Sequence, residues 1–245
     1  YGERSPIYQV RVLGEFVTAA DGIIALDLCE SAQTREVELI KSAPIIWGLD
    51  VARFGDDSTA LAKRRGNHQL VPVQEWYGKD TMQTAGLVYA DWESTPEPLR
   101  PTAINIDVIG IGAGVVDRLA ELGLPAYGIN VAESEAINAE TTYDGKGAPV
   151  RKYNRLRDEL WFKCREWLEA KDCRLCDDPD TIAELVTPTY SILSNGRIKV
   201  EGKDEMRKRG VKSPNRADAW NLTFAATALK KQGWQPIVYK NRRVA

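Results

Sequence analysis

Short apolar runs bounded by turn residues dominate the first half of the chain, and segments of helical period take over in the second. Residues 45–50 form an apolar run typical of a buried strand, and residues 59–62 form another. Gly66-Asn67 signals a turn, and residues 68–77 alternate as a third strand, so the short spacing predicts an antiparallel meander. Asp80 is placed to cap a helix running to about Glu93, which the proline-rich stretch 95–101 ends. Residues 103–108 predict a fourth strand. Glycines 110, 112 and 114 lead into a helix that turns Val115, Val116, Leu119 and Leu122 inward, and residues 125–131 predict a fifth strand. Residues 133–149 lack periodicity and read as a loop, and residues 150–170 predict a long amphipathic helix. Asn195-Gly196 between 190–193 and 197–200 signals a hairpin with a type I′ turn. Ser213-Pro214 reads as an N-cap followed by Pro at the first helical position, opening a last helix to about Lys231. Ahead of all these, residues 8–13 alternate like a short strand and residues 27–41 predict one helix.

Three hairpin-like strands followed by alternating helix and strand is the order of an RNase H-like α/β fold. The expected architecture is a mixed sheet, an antiparallel meander followed by parallel strands, with helices on both faces. The 245 residues, 43% of them hydrophobic, suffice for one large domain. No apolar run approaches the roughly 20 residues of a membrane span. The start has no signal-peptide pattern and no initiator Met, since the only Met residues are Met82 and Met206, so the chain is expected to be part of a longer one.

The net charge of −2 rules out a uniformly basic coat for nucleic acid but leaves room for a local patch. Cys173 and Cys176 have zinc-knuckle spacing, but no second CxxC occurs and His68 is the only His, so ordinary thiols are favoured over a structural zinc. A single His also argues against His-centred acid–base or triad chemistry.

Three carboxylates stand out. Asp50 ends the first predicted strand, Asp107 lies near the end of the fourth, and Asp218 sits on an apolar face in the first turns of the last helix. Open α/β sheets gather their sites at the ends of the strands. A lone Asp in such a place is more often a cap or turn residue. Three of them converging without a sequence-adjacent base point to hard cations with oxygen ligands. Asp56 and Asp57 follow in the first turn, as solvated turn residues or as auxiliary ligands. Without a cation the three charges would repel, so neutralising Asp218 should leave metal-free stability equal or higher.

The motifs around these residues resemble those of phage terminase large subunits. Gly48 to Thr59 (GLDVARFGDDST) resembles their first nuclease motif, Ile106 to Gly114 (IDVIGIGAG) the second, and Lys212 to Ala219 (KSPNRADA) the third. Ser5 to Phe16 (SPIYQVRVLGEF) is similar to the segment that follows their packaging ATPase. No GxxxxGK[ST] phosphate loop occurs, so the resemblance implies the C-terminal nuclease domain alone, without ATPase activity. It implies a junction segment over 1–43, the nuclease domain over 44–232 and a flexible basic tail over 233–245. It further implies two-metal hydrolysis of double-stranded DNA with Mg²⁺ or Mn²⁺, in which Asp50 touches both ions and Asp107 and Asp218 one each. The implied partners are DNA and, through the full-length protein, the portal protein and small terminase subunit. The implied setting is the cytoplasm of the infected bacterium, with the isolated domain monomeric and off the membrane.

DNA must also be held. Residues 197–216 carry eight Lys/Arg against three Asp/Glu, which nominates Lys203, Arg207, Lys208, Arg209, Lys212 and Arg216 as phosphate contacts. The bland alternative is a solvated charged hairpin and loop. A Rossmann reading of Gly110, Gly112 and Gly114 fails, because the third glycine comes one residue too early. Other RNase H-like readings are a Holliday-junction resolvase-like nuclease, an actin-like phosphotransferase, or a non-catalytic docking module.

Overall fold

The computed structural model describes residues 22–52, 57–134 and 150–225. Its centre is a six-stranded mixed sheet of β1 (Ile45–Asp50), β2 (Thr59–Arg65), β3 (His68–Gln69), β4 (Gln74–Trp76), β5 (Ala103–Asp107) and β6 (Ala126–Ile129). The path runs β3-β2-β1-β5-β6, and β4 also pairs with β2. β1 and β2 are antiparallel, whereas β1–β5 and β5–β6 are parallel. This is the expected RNase H-like order of a meander followed by parallel strands. The third strand is the exception, because 68–77 divides into β3 and β4, which pair with opposite ends of β2.

Both faces of the sheet are covered, so its central strands are buried almost throughout. Odd positions of β1 (Ile45, Trp47, Leu49) join Ile104 and Ile106 of β5 against α2 (Thr81–Ser94) and α3 (Gly112–Glu121). Asp80 caps α2 as expected, in a full capping box with Gln83. The opposite face packs on α4 (Leu156–Glu169) and α7 (Asn215–Leu222), through Trp161, Trp167, Ala217, Ala219 and Trp220.

Several expectations change. The helix predicted over 27–41 ends early, as α1 (Leu26–Thr34). Ile23, Ile24, Cys29 and Ala32 lie in the same core cluster as Trp161 and Trp220, so residues 22–34 pack against α4 and α7. The helix predicted from 150 starts at Leu156, because Tyr153 bridges to Ile198. α5 (Pro179–Val186) and the short α6 (Lys203–Lys208) went unread, although Asp178-Pro179 is a cap followed by Pro and Asp178 does accept from Thr181 N–H. The hairpin β7 (Tyr190–Ile192) and β8 (Ile198–Val200) forms without a type I′ turn. Gly196 has φ +78° but Asn195 does not share it, and Gly196 N–H donates to Leu193 O at 2.8 Å. That is a type I turn followed by a left-handed glycine. Residues 8–13, most of the predicted loop 133–149, the last helix beyond 225 and the tail 233–245 lie outside the described residues.

Cys29, Cys164 and Cys173 are buried free thiols. Burial pushes Cys164 up to about 12 and Cys173 to about 11, so they are inert core residues. Among the described residues no helix is long and apolar enough to cross a membrane.

Candidate active site

The pleat decides which face carries the acids. Asp50 shares the face of Ile46 and Gly48, and Asp107 the face of Ala103 and Asn105, so both point toward α7. The β1–β5 register pairs Gly48 with Asn105 and Leu49 with Ile106, and one step further sets Asp50 beside Asp107. Gly48 lets the helix approach, since a Cβ there would lie 2.1 Å from Ala219 O. Gly112 does the same for the turn after β5, where a Cβ would meet Asp107 O at 1.8 Å.

Helix α7 is clamped at both ends, and this fixes Asp218. At its start Glu184 of α5 accepts from the N–H groups of Arg216 (2.7 Å) and Ala217 (3.1 Å). This is the task expected of Ser213, whose buried hydroxyl has no partner; the helix begins one residue later than predicted, at Asn215. At its end Arg64 donates to Thr223 O at 2.6 Å and Asn105 to Leu222 O at 2.9 Å.

Asp50, Asp107 and Asp218 thereby line one cleft of about 650 Å³. Two cations share it: Lys203, nominated above as a phosphate contact, and Arg157, which the sequence did not single out. Lys203 Nζ lies 3.3 Å from Asp50 Oδ2, 3.4 Å from Asp218 Oδ2 and 3.2 Å from Asn215 Oδ1. Arg157 donates through Nε to Asp218 Oδ1 at 3.2 Å, and Trp161 Nε1 donates to the same oxygen at 3.2 Å. The acids therefore do not face each other unpartnered, and the expected gain in metal-free stability on neutralising Asp218 loses its basis. As they stand, no group of three His, Cys, Asp or Glu side chains among the described residues is arranged to hold a metal ion. An ammonium occupies the space between two of the carboxylates instead.

Burial raises Asp50 above the usual carboxylate range; Lys203 opposes this and Asp218 adds to it. Burial would pull Lys203 down, but Asp50 and Asp218 outweigh it and hold its ammonium above its ordinary value. Asp107 is raised to about 6, first by burial and then by Asp50 and Asp218, while the N–H of Ile109 (2.9 Å from Oδ1) and Lys203 lower it. A raised acid favours the folded state only while protonated. Its stability contribution is highest below the unfolded pKa near 4 and is lost as pH rises through about 6. Asp107→Asn should therefore be more stable than the parent by about 2 kcal/mol at pH 8 in EDTA and equal to it at pH 4. Denaturant melts at the two pH values check this; a gap that does not change with pH would remove the charge of Asp107 as its cause.

The other nominated residues scatter. Asp57 lies outside the cleft, paired with Arg207 at 2.9 Å, and Asp56 is outside the described residues. Arg207 also binds Asp204, Arg209 binds Glu201 at 2.6 Å, and Arg216 binds Glu75 at 2.8 Å and Val73 O at 2.9 Å. Lys208 and Lys212 are exposed. Of the six nominated phosphate contacts only Lys203 lines the cleft, and there it faces carboxylates.

Solved structures share this arrangement of strands and helices. The nuclease domain of the large terminase subunit of bacterial virus Sf6 superposes with a TM-score of 0.64 at 19% identity, covering 83% of this chain and 98% of that one. The fold is that of a large-terminase nuclease domain. The large-terminase nuclease from thermophilic phage G20c with bound magnesium matches with a TM-score of 0.55 at 10% identity, over 84% of this chain and 97% of that one. In sequence the chain is similar to a probable terminase large subunit of Enterobacteria phage P7, 26% identical over 237 residues. That match covers 92% of this chain and 46% of the relative, so the chain spans about half the relative's length. No protein-family model matches the chain.

Proposed function

We propose that this chain is the nuclease domain of a phage terminase large subunit, a divalent-metal-dependent endonuclease that cuts concatemeric double-stranded viral DNA during genome packaging. The observation that carries the reading is the meeting of Asp50, Asp107 and Asp218, from β1, β5 and α7, in one cleft at the end of the central strands. The Sf6 nuclease domain was solved with manganese and the G20c nuclease with magnesium, which supports the same class of ion here. On this reading the chain works in the host cytoplasm, and its portal and small-subunit partners are met through the rest of the terminase.

Once Lys203 withdraws from Asp50 and Asp218, the chemistry of the donor set suits such ions. Three carboxylates from three rigid elements offer hard oxygen ligands, the preference of Mg²⁺ and Mn²⁺. Asp50, beside Asp107 in strand register and sharing Lys203 with Asp218, would be the acid shared between two ions. Bound divalent cations supply the Lewis acidity that generates the attacking hydroxide and stabilises the leaving 3′-oxygen. The chain's own residues prepare for this. Asp107 must lose its proton, which its raised pKa delays until about pH 6. Lys203 must give up Asp50 and Asp218, and Asn215 remains as a neutral acceptor for its ammonium. Arg157 keeps Asp218 oriented through Oδ1 while Oδ2 faces the cleft centre.

Supercoiled plasmid incubated with the chain should be nicked and linearised in Mg²⁺ or Mn²⁺ and left intact in EDTA. Cutting that persists in EDTA would overturn the metal requirement. Intact plasmid under every metal condition would overturn the nuclease reading.

A further inference from the structure

We infer that the DNA backbone is held by a basic wall on the α4 side of the cleft, built from Lys152, Arg155 and Arg197, and not by the residue 203–216 segment. The inference rests on the nuclease reading above and concerns where the substrate lies. The 203–216 segment is rich in Lys and Arg, but four of its six cations are spent locally, leaving Lys208 and Lys212. Lys203, Arg207, Arg209 and Arg216 are each ion-paired with one or more carboxylates. A phosphate arriving there would have to displace those partners, which offsets the gain from releasing counterions.

The wall is differently made. Residues 151–157 (RKYNRLR) contain four Lys/Arg and no acid. Ile198 N–H donates to Lys152 O and Asn154 N–H donates to Ile198 O, both at 2.9 Å, so this segment is tied to the β7–β8 hairpin by a single parallel bridge. Tyr153 turns inward against Phe162, with ring centroids 5.3 Å apart, which puts Lys152 and Asn154 on the outer face. Arg197, just before β8, and Lys199 within it lie two residues apart on one side of the chain, and Lys199 lines the cleft together with Asn154 and Arg155. The buried carboxylate of Asp158 locks the wall to the start of α4. It accepts from the N–H groups of Arg155 at 2.9 Å and Val200 at 2.8 Å.

Lys152 and Arg155 are exposed, and neither they nor Arg197 form an ion pair with any described residue. Three positive charges outside any ion pair therefore stand in or next to the lining of a cleft whose floor is acidic, with Arg155 in the lining itself. A chain of regularly spaced phosphates suits that pattern, with one phosphate between the carboxylates and its neighbours on the wall. None of these contacts reaches a base edge, so binding there is insensitive to sequence.

The test is binding of a fluorescent 30-base-pair duplex in EDTA, followed by anisotropy across a salt series. Two triple variants are compared with the parent: Lys152→Ala/Arg155→Ala/Arg197→Ala, and Arg207→Ala/Lys208→Ala/Arg209→Ala. The wall variant should bind about tenfold or more weakly at low salt, with a log–log salt slope shallower by about two to three. The segment variant, which loses the same formal charge, should change the slope by less than about one. The single variant Arg155→Glu, at an exposed site, gives the same readout should the wall triple melt early. If the parent binds duplex and both wall variants keep its slope, or the segment variant loses more than the wall variant, the wall is overturned while the nuclease reading stands. A parent chain that binds no duplex in EDTA overturns the wall alone, because the plasmid assay in Mg²⁺ or Mn²⁺ decides the nuclease reading.

Discussion

Asp50→Asn should cut plasmid DNA in Mg²⁺ about 10³-fold more slowly than the parent, with its melting temperature shifted by only a few degrees. The side chain is almost fully buried at the end of β1, beside Asp107 and across from Asp218, so it is the acid most able to be shared. Asn keeps the shape but removes the charge that a hard cation requires, and electrostatic stabilisation of several kcal/mol goes with it. At 1.36 kcal/mol per tenfold, a loss of about 4 kcal/mol is a factor of about 10³. Stability moves little because two effects oppose. The change forfeits an ion pair with Lys203, and it also relieves a buried carboxylate whose pKa burial has already raised. A net change of about 1 kcal/mol corresponds to roughly 2–4 °C for a domain of this size. Gel assays with saturating Mg²⁺, alongside thermal melts, separate the two readouts. Near-parental cutting would take Asp50 out of the chemistry, and a collapse in melting temperature would make it a structural residue.

The sheet was legible because its strands announce themselves by composition. The run at 45–50 is apolar on both faces and the run at 103–107 is broken before its end only by Asn105, which in a chain of this length means central, covered strands. The acids at their ends were legible for the same reason, since each closes a largely apolar run. What periodicity does not carry is the length of elements held by tertiary pairing. Tyr153 satisfies a helical pattern, yet its segment joins a hairpin more than 40 residues away in sequence, so the helix starts six residues later than its pattern. The cap of α7 was misread because Ser213 has the right type in the right place, while the acceptor comes from Glu184 on another helix. The site's cations were misassigned by the same limit. Lys203 and Arg216 look alike as members of a basic run, but one reaches the acidic cleft and the other binds Glu75 of β4. A charge count along the chain cannot tell a cation that meets solvent from one that meets a carboxylate. The interior decides that, through which acids it leaves in need of a partner.

Lys203→Met should unfold more easily than the parent in EDTA at pH 8, and respond more strongly to added Mn²⁺. In the metal-free protein the ammonium is the positive charge between Asp50 and Asp218, at 3.3 and 3.4 Å. Its pKa is held above the ordinary lysine value, so its contribution is present in full at pH 8 and is lost only as pH rises beyond the lysine range. Breaking such a pair while leaving the acids in place costs about 3–5 kcal/mol when fully buried. The Lys203 side chain is 35% exposed, so solvent screening brings the expected cost down to about 1–2 kcal/mol. Met preserves the length of the stem, so lost packing contributes little. At pH 4 the raised acids are increasingly protonated and repel less, so the gap should narrow. A divalent cation reverses the order. In the parent it must displace the ammonium, whereas in the variant it enters a site already vacated by its competitor. Mn²⁺ should thus raise the melting temperature of the variant by more than that of the parent, because a ligand stabilises in proportion to its affinity for the folded state. Asp218→Asn is the companion measurement. It leaves Lys203, Arg157 and Trp161 facing a neutral amide, so it should lower metal-free stability and also blunt the response to Mn²⁺. Melts of the three proteins in EDTA and in a Mn²⁺ series decide the matter. Should Lys203→Met match the parent in both, the ammonium does not hold the site, and the acids are kept apart by some other means.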